Sequence, residues 1–250
     1  MIDKDSNDSE LERKQERIAF LWALAEKIAD KLKTDPRVES IWVSSSLSRG
    51  EADEFSDLDM AALIEKSTFS DSMRENRRQK WLAFGAEGWT DRRGDKFVVQ
   101  GVPFTVDYLT LNRILRCGWD ELEYVEWIIA GIVYSEVMYD PKSTLKRLKE
   151  EFLVYPEQLR KRRILQLDDN VAMYTYLAKR EIKRRDYINA SYHLRNAITQ
   201  LAHLLFPLNG QYLVSKRSLL DRVNKLNRVP RGFLNYFRPY SSTLNRKKQQ

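Results

Sequence analysis

The sequence predicts an α+β fold: a domain with a small mixed β-sheet flanked by helices, followed by an all-α helical-bundle domain. Two observations support this prediction. Apolar runs of strand length alternate with helical patterns as far as Tyr155-Pro156, and no convincing strand pattern follows. Apolar residues at helical spacing then continue through most of the remaining chain. The domains are therefore expected at residues 1–155 and 156–250.

Composition and charge exclude several classes of protein. Of the 250 residues, 42% are hydrophobic and 32% are charged, which is typical of a folded globular protein. No apolar run approaches the ~20 residues that a membrane span needs, and the acidic, polar start is unlike a secretion signal. The single Cys117 excludes an intramolecular disulfide and a cysteine-based zinc cluster. A cytoplasmic location without membrane contact is the resulting expectation.

The elements follow from local patterns. Residues 1–8 are expected to be disordered and residues 9–33 to form a long amphipathic helix. The other elements expected in the first domain are strands at 38–44 and 57–66, a basic helix within 68–86, strands at 97–100 and 104–109 joined as a hairpin, a helix at 119–130, a strand at 131–138 and a helix at 143–154. In the second domain we expect helices at 157–185, 186–206 and 215–226, a turn at 207–210 and a short helix within 228–236.

The candidate catalytic residues lie mainly in one stretch, residues 41–64. This stretch is expected to form a strand, a polar turn, and a second strand that begins with two acidic residues. Asp57 and Asp59 are two residues apart, so in an extended segment their carboxylates project from the same side, ~7 Å apart. A hard divalent cation such as Mg²⁺ suits two such carboxylates together with substrate phosphates. The turn before them contains Ser45 and Ser46, whose N–H and hydroxyl groups are suited to phosphate oxygens.

This stretch resembles the signature of the polymerase-beta-like nucleotidyltransferase superfamily, in particular its aminoglycoside and lincosamide nucleotidyltransferase branch. That signature reads Gly-Ser-x-x-Arg-Gly-x-x-Asp-x-x-Ser-Asp-x-Asp. The matching residues here are Ser46, Arg49, Gly50, Asp53, Ser56, Asp57 and Asp59. Ser45 occupies the position of the family's first Gly, so its Cβ lies where the backbone should approach the phosphates closely. A lone Asp-x-Asp is common by chance, and the prediction depends on the full string.

The resemblance implies a third carboxylate on a neighbouring strand, and Asp107 matches that position. An acid inside an otherwise apolar strand is costly to bury unless it meets a cation or hydrogen bonds. The alternative is an Asp in solvent at a strand edge. In the resembling enzymes this residue is a metal ligand, a general base or both.

The second half resembles the helical domain that closes over the substrate in the same enzyme branch. The branch element Leu-Asn-x-x-Tyr-x-x-Ser-Lys is similar to residues 208–216 of this chain. By that resemblance Lys216 would reach the triphosphate as a point charge, and Tyr212 would contribute to nucleotide binding. The alternatives are a surface lysine and a core tyrosine.

The resemblance implies a Mg²⁺-dependent nucleotidyltransferase. It would transfer a nucleoside monophosphate, AMP from ATP or another nucleotide from its triphosphate, to a hydroxyl of a small molecule such as an antibiotic, and release pyrophosphate. The metal-binding and catalytic residues would be Asp57, Asp59 and Asp107. The nucleotide-binding residues would be Ser45, Ser46, Arg49, Tyr212 and Lys216.

Other functions stay open on the same fold. A protein that senses nucleotides or regulates a partner is favoured by Ser45 and disfavoured by the three acids. A transferase that acts on protein or RNA is favoured by the net charge of +7. The basic residues are scattered, however, so solvated helix faces explain them better than a nucleic-acid groove does. A nucleic-acid partner is therefore not expected, and both a monomer and a homodimer are compatible with the aromatic-rich stretch 119–127.

Overall fold

A computed structural model describes residues 4–65, 71–91, 94–115 and 122–236. The chain divides into two compact units: Met1–Trp119 with Ile128–Leu153, and Asp120–Trp127 with Val154–Gln250. The predicted domains, 1–155 and 156–250, differ from these units mainly in the assignment of residues 120–127. Cys117 lies outside the described residues. Within the described ranges, no helix combines the length and apolar character that crossing a membrane requires.

A mixed β-sheet is the centre of the first unit. In the described residues its strands are β1 (Val38–Val43), β2 (Leu58–Ile64), β3 (Glu87–Thr90), β4 (Gly94–Val99), β5 (Val102–Leu109) and β6 (Glu136–Tyr139). Their order across the sheet is β3-β4-β5-β2-β1-β6. Strands β2 and β5 run parallel, and the other neighbouring pairs run antiparallel. The predicted α+β class with a small mixed sheet is confirmed.

Helices cover this sheet. The helices up to residue 152 are α1 (Lys4–Lys33), α2 (Ser45–Ser48), α3 (Asp71–Leu82), α4 (Leu111–Leu115), α5 (Leu122–Val133) and α6 (Thr144–Phe152). Helix α1 contributes an apolar stripe to the main core, because its buried residues recur at helical spacing: Leu21, Leu24, Ala25, Ile28 and Leu32. Alternate residues of β2 and β5, such as Met60, Phe104 and Val106, complete this core.

Several elements differ from their predictions. Helix α1 begins at Lys4, so residues 4–8 belong to a helix, although they were expected to be disordered; the sequence of this stretch is acidic, which favours a helix N-terminus. Helix α5 continues to Val133 because its apolar residues remain buried at helical spacing, and the strand expected at 131–138 is the shorter β6. Strand β3 was not predicted, since its mostly exposed residues lack an alternating apolar pattern. Lys66, the expected end of β2, lies outside the described residues.

The predicted hairpin joins β4 to β5 through a tight turn. Gln100 and Gly101 have φ values of +50° and +76°. Two consecutive residues with positive φ are typical of a type I′ turn, whose twist matches that of the flanking strands. The turn therefore lies at 100–101 rather than at the predicted 101–103, and it sets the register of the two strands.

The second unit is helical throughout its described residues, as predicted. Its main elements are α7 (Glu157–Lys183), α8 (Tyr187–Leu208) and α9 (Leu219–Asn224), followed by a 3-10 helix at Phe233–Tyr236. Pro207, expected in a turn, lies inside the last turn of α8. The third helix begins at Leu219 rather than at residue 215, so Lys216 precedes this helix.

Candidate active site

Two acidic side chains share one face of the sheet where β2 and β5 run side by side. Asp59 pairs with Thr105, and Asp107 pairs with Ala61. Paired residues, and residues two apart in one strand, lie on the same face. Asp59 and Asp107 therefore project to the same side from adjacent strands, and both are half-buried. Asp57 is exposed immediately before β2, at the entrance to this face.

The three carboxylates repel one another. The pKa of Asp107 is raised to about 6, first by burial and second by the charge of Asp59. The pKa of Asp59 is also raised, by burial and then by Asp57, and it is partly lowered by the Ser45 hydroxyl and by Arg49. Negative charge that its surroundings compensate incompletely is typical of a cation-binding or catalytic site.

Strand β4 leaves space beside Asp107 because the residue opposite, Gly94, has no side chain. A Cβ at this position would lie 2.7 Å from the backbone oxygen of Val106 and 3.0 Å from Oδ1 of Asp107. A larger residue would therefore displace the strand or the carboxylate. This role of Gly94 was not predicted from the sequence, since recognising it requires the register of the hairpin.

Ser45 and its neighbour Ser44 hold Asp59. Ser45 begins helix α2 with a φ of +69°, in the left-handed region that favours glycine. This is the residue that replaces the glycine of the resembling family. Its side chain favours the charged form of the Asp59 carboxylate and so lowers the pKa of that acid. The backbone N–H of Ser44 donates to the backbone oxygen of Asp59 at 2.9 Å. The backbone of Asp59 is thus attached to this turn, and the turn also stabilises the charge of its side chain.

Two motif residues, Asp53 and Ser56, close the loop that precedes Asp57. The buried Ser56 hydroxyl donates to Oδ1 of Asp53 at 2.8 Å and lies 3.4 Å from the Ser46 hydroxyl. The backbone oxygen of Ser56 accepts a hydrogen bond from Nη2 of Arg17 at 2.6 Å. These contacts give Asp53 and Ser56 a structural role: they fix the loop between the serine turn and the acids.

Arg49 places a positive charge beside the acids. Its Nε lies 2.9 Å from Oε2 of Glu51, and its side chain is only 14% exposed. The positive charge of Arg49 lowers the pKa of Asp59. It also partly offsets the effect of burial, which raises the pKa of Tyr134. Gly50 follows with a φ of +69° and open space at its Cβ position, so the backbone conformation favours glycine there.

Tyr212 and Lys216 belong to the second unit. Tyr212 is buried, and its ring centroid lies 4.3 Å from that of Tyr155. Nζ of Lys216 pairs with Oε1 of Glu123 at 2.7 Å. The other predicted site residues, which are Ser45, Ser46, Arg49, Asp57, Asp59 and Asp107, lie on or beside one sheet of the first unit. The nucleotide-binding roles of Tyr212 and Lys216 stay predictions.

A buried polar network in the second unit was not predicted. Glu126 accepts hydrogen bonds from Nε of Arg163 at 2.8 Å and from the Tyr155 hydroxyl at 2.9 Å. Burial, and then the Glu126 charge, raises the pKa of Tyr155. His203 is also buried, and burial and then Lys216 lower its pKa to about 4, so this histidine is neutral at pH 7. The sequence offered no signal for the network, because its hydrogen-bonded residues are scattered along two helices and a loop.

The donor set of the acidic face is suited to a hard divalent cation. Carboxylate oxygens are the ligands that Mg²⁺ takes, and the raised pKa values show that a positive charge would relieve repulsion. No group of three or more acidic, histidine or cysteine side chains converges on one metal position within the described ranges. The residues that would hold the cation are therefore Asp57 and Asp59, with Asp107 beside them on the same sheet.

Comparison with known proteins finds one family model and several distantly similar structures. The family model, a domain of unknown function (DUF4037), matches residues 122–216, which include the buried network of the second unit. No curated protein is significantly similar in sequence to this chain.

Three solved structures illustrate the structural similarity. A nucleotidyltransferase-like protein from Exiguobacterium sibiricum is 13% identical, with a TM-score of 0.46 over 80% of this chain and 60% of that chain. Cid1 in complex with ApU is 18% identical, with a TM-score of 0.32 over 48% of this chain and 37% of its own. CdnC of E. coli MS115-1, from a complex with HORMA-deltaN, is 12% identical, with a TM-score of 0.34 over 90% of this chain and 78% of its own.

The extent of these matches is limited. This chain spans less than two thirds of the length of the Exiguobacterium protein and of Cid1. No aminoglycoside or lincosamide enzyme is among the three structures named. Membership of that branch stays a prediction.

Proposed function

We propose that this protein is a metal-dependent nucleotidyltransferase. It transfers the nucleoside monophosphate of a nucleoside triphosphate, with ATP as the first candidate, to a hydroxyl of an acceptor and releases pyrophosphate. The observation that carries this proposal is the acidic face. Asp59 and Asp107 project from adjacent strands to one side of the sheet, and Asp57 lies at its entrance. Their mutual repulsion is what a cation bound to phosphate oxygens would relieve.

The three acidic residues have different roles in the proposed transfer. Asp57 and Asp59 would hold Mg²⁺, which when bound neutralises negative charge on the phosphate oxygens. The acceptor oxygen attacks the α-phosphorus, the bond from that phosphorus to the bridging oxygen breaks, and pyrophosphate leaves with the electron pair. Asp107 takes the proton of the acceptor hydroxyl. Its pKa of about 6 leaves it ionised at pH 7 and able to accept this proton.

The serine turn and Arg49 would bind the polyphosphate. The Ser46 hydroxyl and backbone N–H groups of the turn are donors for phosphate oxygens. Arg49 adds a cation beside Asp59, where it also reduces the repulsion among the acids. Because the protein forms no covalent bond with the substrate in this scheme, positioning and electrostatics would supply the rate enhancement.

Replacement of either metal-binding acid tests the proposal. Asp57→Asn and Asp59→Asn should each lower nucleotidyl transfer by at least about 100-fold, because each removes a charged ligand while retaining a similar shape. Release of pyrophosphate from ATP in the presence of Mg²⁺ measures the rate, and circular dichroism checks the fold. Asp30→Asn, at an exposed acid of α1, is the matched control and should retain full activity. Full turnover by either site variant would remove the metal role.

Nucleotide binding is measurable before the acceptor is known. Calorimetric titration of ATP should show binding with Mg²⁺ and much weaker binding without it, because the acids repel the uncompensated triphosphate. Titration of UTP, GTP and CTP under the same conditions identifies the preferred base. An absence of binding to all four nucleotides with Mg²⁺ would contradict the proposed function.

A second candidate function is a nucleotide-binding sensor or regulator without turnover. One observation favours it: the described residues contain no convergent group of three metal ligands. Binding of Mg²⁺ and nucleotide without pyrophosphate release for any hydroxylated acceptor would support this candidate over the transferase.

A further inference from the structure

Helices α7 and α8 of the second unit form a hairpin, because only residues 184–186 connect them. Consecutive helices with so short a connection run antiparallel. Two side-chain contacts show which residues lie at the same level. The rings of Tyr174 and His193 stack, and Nδ2 of Asn170 lies 3.3 Å from Oε1 of Gln200.

Each helix of this hairpin carries an apolar stripe. Residues seven or eleven positions apart are close to whole helical turns apart, so they lie on one face of a helix. Such spacings relate three residues of α7 and three of α8. The two stripes are Ile164, Val171 and Ile182 in α7, and Tyr187, Leu194 and Leu201 in α8.

The two stripes lie on the same side of the hairpin. Asn170 and Gln200 meet on one side, as their hydrogen bond shows. Val171 and Leu201 each follow by one residue, which is a rotation of about 100°. Because the helices are antiparallel, these rotations have opposite senses when both helices are viewed along one axis. Both side chains therefore turn to the other side of the hairpin, and the two stripes there form one continuous apolar face.

This apolar face is largely open to solvent. Ile164 and Val171 are half-buried, and the exposed fractions of the other four residues are between 38% and 63%. Exposed apolar side chains that share one face, rather than being scattered singly, indicate a protein-binding surface. Two helices alone cannot bury such a face, whereas two further helices packed on it complete a four-helix bundle.

The apolar residues are arranged symmetrically along the face. Ile164 and Ile182 are equally far from residue 173, in opposite directions, and Tyr187 and Leu201 are equally far from Leu194. The contact between Tyr174 and His193 places these two midpoints at the same level of the hairpin. A two-fold axis across the hairpin at this level would bring Ile164 of one copy opposite Ile182 of another, and Leu194 opposite its own counterpart.

Two charged residues beside the face have the same symmetry. Asp168 and Lys179 are exposed and eleven residues apart, so they lie along one edge of α7. Asp168 is one turn from Ile164, and Lys179 is one turn from Ile182. Their midpoint is also close to Tyr174. The same two-fold axis would place Asp168 of each copy opposite Lys179 of the other, so that opposite charges pair twice.

We propose that this face binds a second copy of the chain. The result is a two-fold symmetric bundle of four helices, in which α7 packs on α7, α8 packs on α8 and all neighbouring helices run antiparallel. The sequence alone left a monomer and a homodimer open and drew attention to residues 119–127. The face on α7 and α8 is a different surface, and its pairing does not depend on the proposed transferase activity.

The size of the face is suited to a reversible dimer. From Ile164 to Ile182 the helix rises by about 27 Å, and two helices side by side are about 20 Å wide. A contact of this size buries about 500 Å² on each copy, or about 1,000 Å² in total, which is at the lower end of specific interfaces. A dissociation constant in the micromolar range is therefore expected.

Sedimentation velocity of the full chain between about 1 and 100 µM tests the interface. The parent should approach twice its mass of 29.6 kDa as the concentration rises. Leu194→Glu places two carboxylates together at the axis, so it should raise the dissociation constant at least about 100-fold. Leu165→Glu is the matched control, because this residue is 64% exposed but is rotated away from the face. It should leave the dissociation constant unchanged, and circular dichroism checks the fold of both variants.

Charge reversal tests the position of the two-fold axis. Asp168→Lys and Lys179→Asp each place like charges together twice, so each should raise the dissociation constant by about tenfold or more. The variant with both substitutions should recover the affinity of the parent, because opposite charges again face each other. Unchanged affinity in both single variants would overturn the proposed axis.

The remaining outcomes decide which partner the face binds. A chain that stays monomeric at about 100 µM overturns the second copy as the partner and leaves the face to a helix of another protein. A dimer that Leu194→Glu does not weaken, or that Leu165→Glu weakens as much, overturns this face as the interface. A dimer that Trp127→Ala dissociates instead assigns the interface to residues 119–127, where this tryptophan is 51% exposed.

Discussion

Ser45 is the residue at which this chain departs from the family signature, and it has a φ of +69°. A side chain in the left-handed region costs roughly 1–2 kcal/mol relative to glycine. The Ser45 side chain offsets part of this cost because it stabilises the ionised Asp59 carboxylate. The serine is therefore an alternative to glycine with its own contact to the acidic face.

Substitutions at Ser45 should separate its backbone conformation from its hydroxyl. Ser45→Ala keeps the unfavourable φ and loses the polar group that stabilises the ionised Asp59, so the free energy of unfolding should fall by about 1 kcal/mol. Ser45→Gly should be about 1 kcal/mol more stable than Ser45→Ala, because glycine accepts the conformation. Urea unfolding measures the difference. Gln100→Gly, at another left-handed residue, is a control for the conformational gain alone. Equal stability of the two Ser45 variants would contradict the conformational argument.

Asp107 should make stability depend on pH. Its folded pKa of about 6 is above the ordinary value, so it favours the folded state when protonated. That contribution is complete below about pH 4 and is lost as the pH rises through 6. Asp107→Asn is neutral at every pH. With a chelator present, its unfolding free energy relative to the parent should rise by about 1–3 kcal/mol between pH 4 and pH 7. A difference that does not vary with pH would show that Asp107 is not perturbed.

At the scale of elements, the predictable strands were those with an apolar pattern. Strands β1, β2 and β5 were expected close to their observed ranges, because each supplies buried residues to one core. The edge strand β3 was missed because three of its residues are exposed, and edge pairing depends on backbone hydrogen bonds rather than on burial.

The attachment of α5 to α7 in the second unit depends on one buried ion pair. Arg163 and Glu126 have side chains that are 2% and 3% exposed, and they lie 2.8 Å apart. Arg163→Met should lower the free energy of unfolding by about 3 kcal/mol or more, since Glu126 is left buried without its cation. Urea unfolding checks this, and Arg163→Met with Glu126→Gln should recover part of the loss. Arg78→Met, at an exposed pair, should cost less than about 1 kcal/mol. Similar losses at both sites would contradict a special role for burial.

At the scale of the whole molecule, the sequence predicted the fold class, but it did not predict the buried network of the second unit. The motif at 41–64 is contiguous, so local pattern was sufficient to find Asp57 and Asp59. Asp107 was proposed as a site residue because it is a single acid inside an otherwise apolar strand. The position of Gly94 opposite Asp107 follows only from strand register, which depends on the turn at Gln100–Gly101 and on long-range pairing.

The parallel pairing of β2 with β5 also has a consequence for folding kinetics. It joins Leu58 to Phe104, and the intervening chain must close as a large loop before the pair forms. Such non-local contacts form slowly, and here they also bring Asp59 and Asp107 to adjacent strands, where they repel. A divalent cation that binds both strands would reduce this repulsion. Refolding is therefore expected to be faster with Mg²⁺, and this acceleration should be absent in Asp59→Asn.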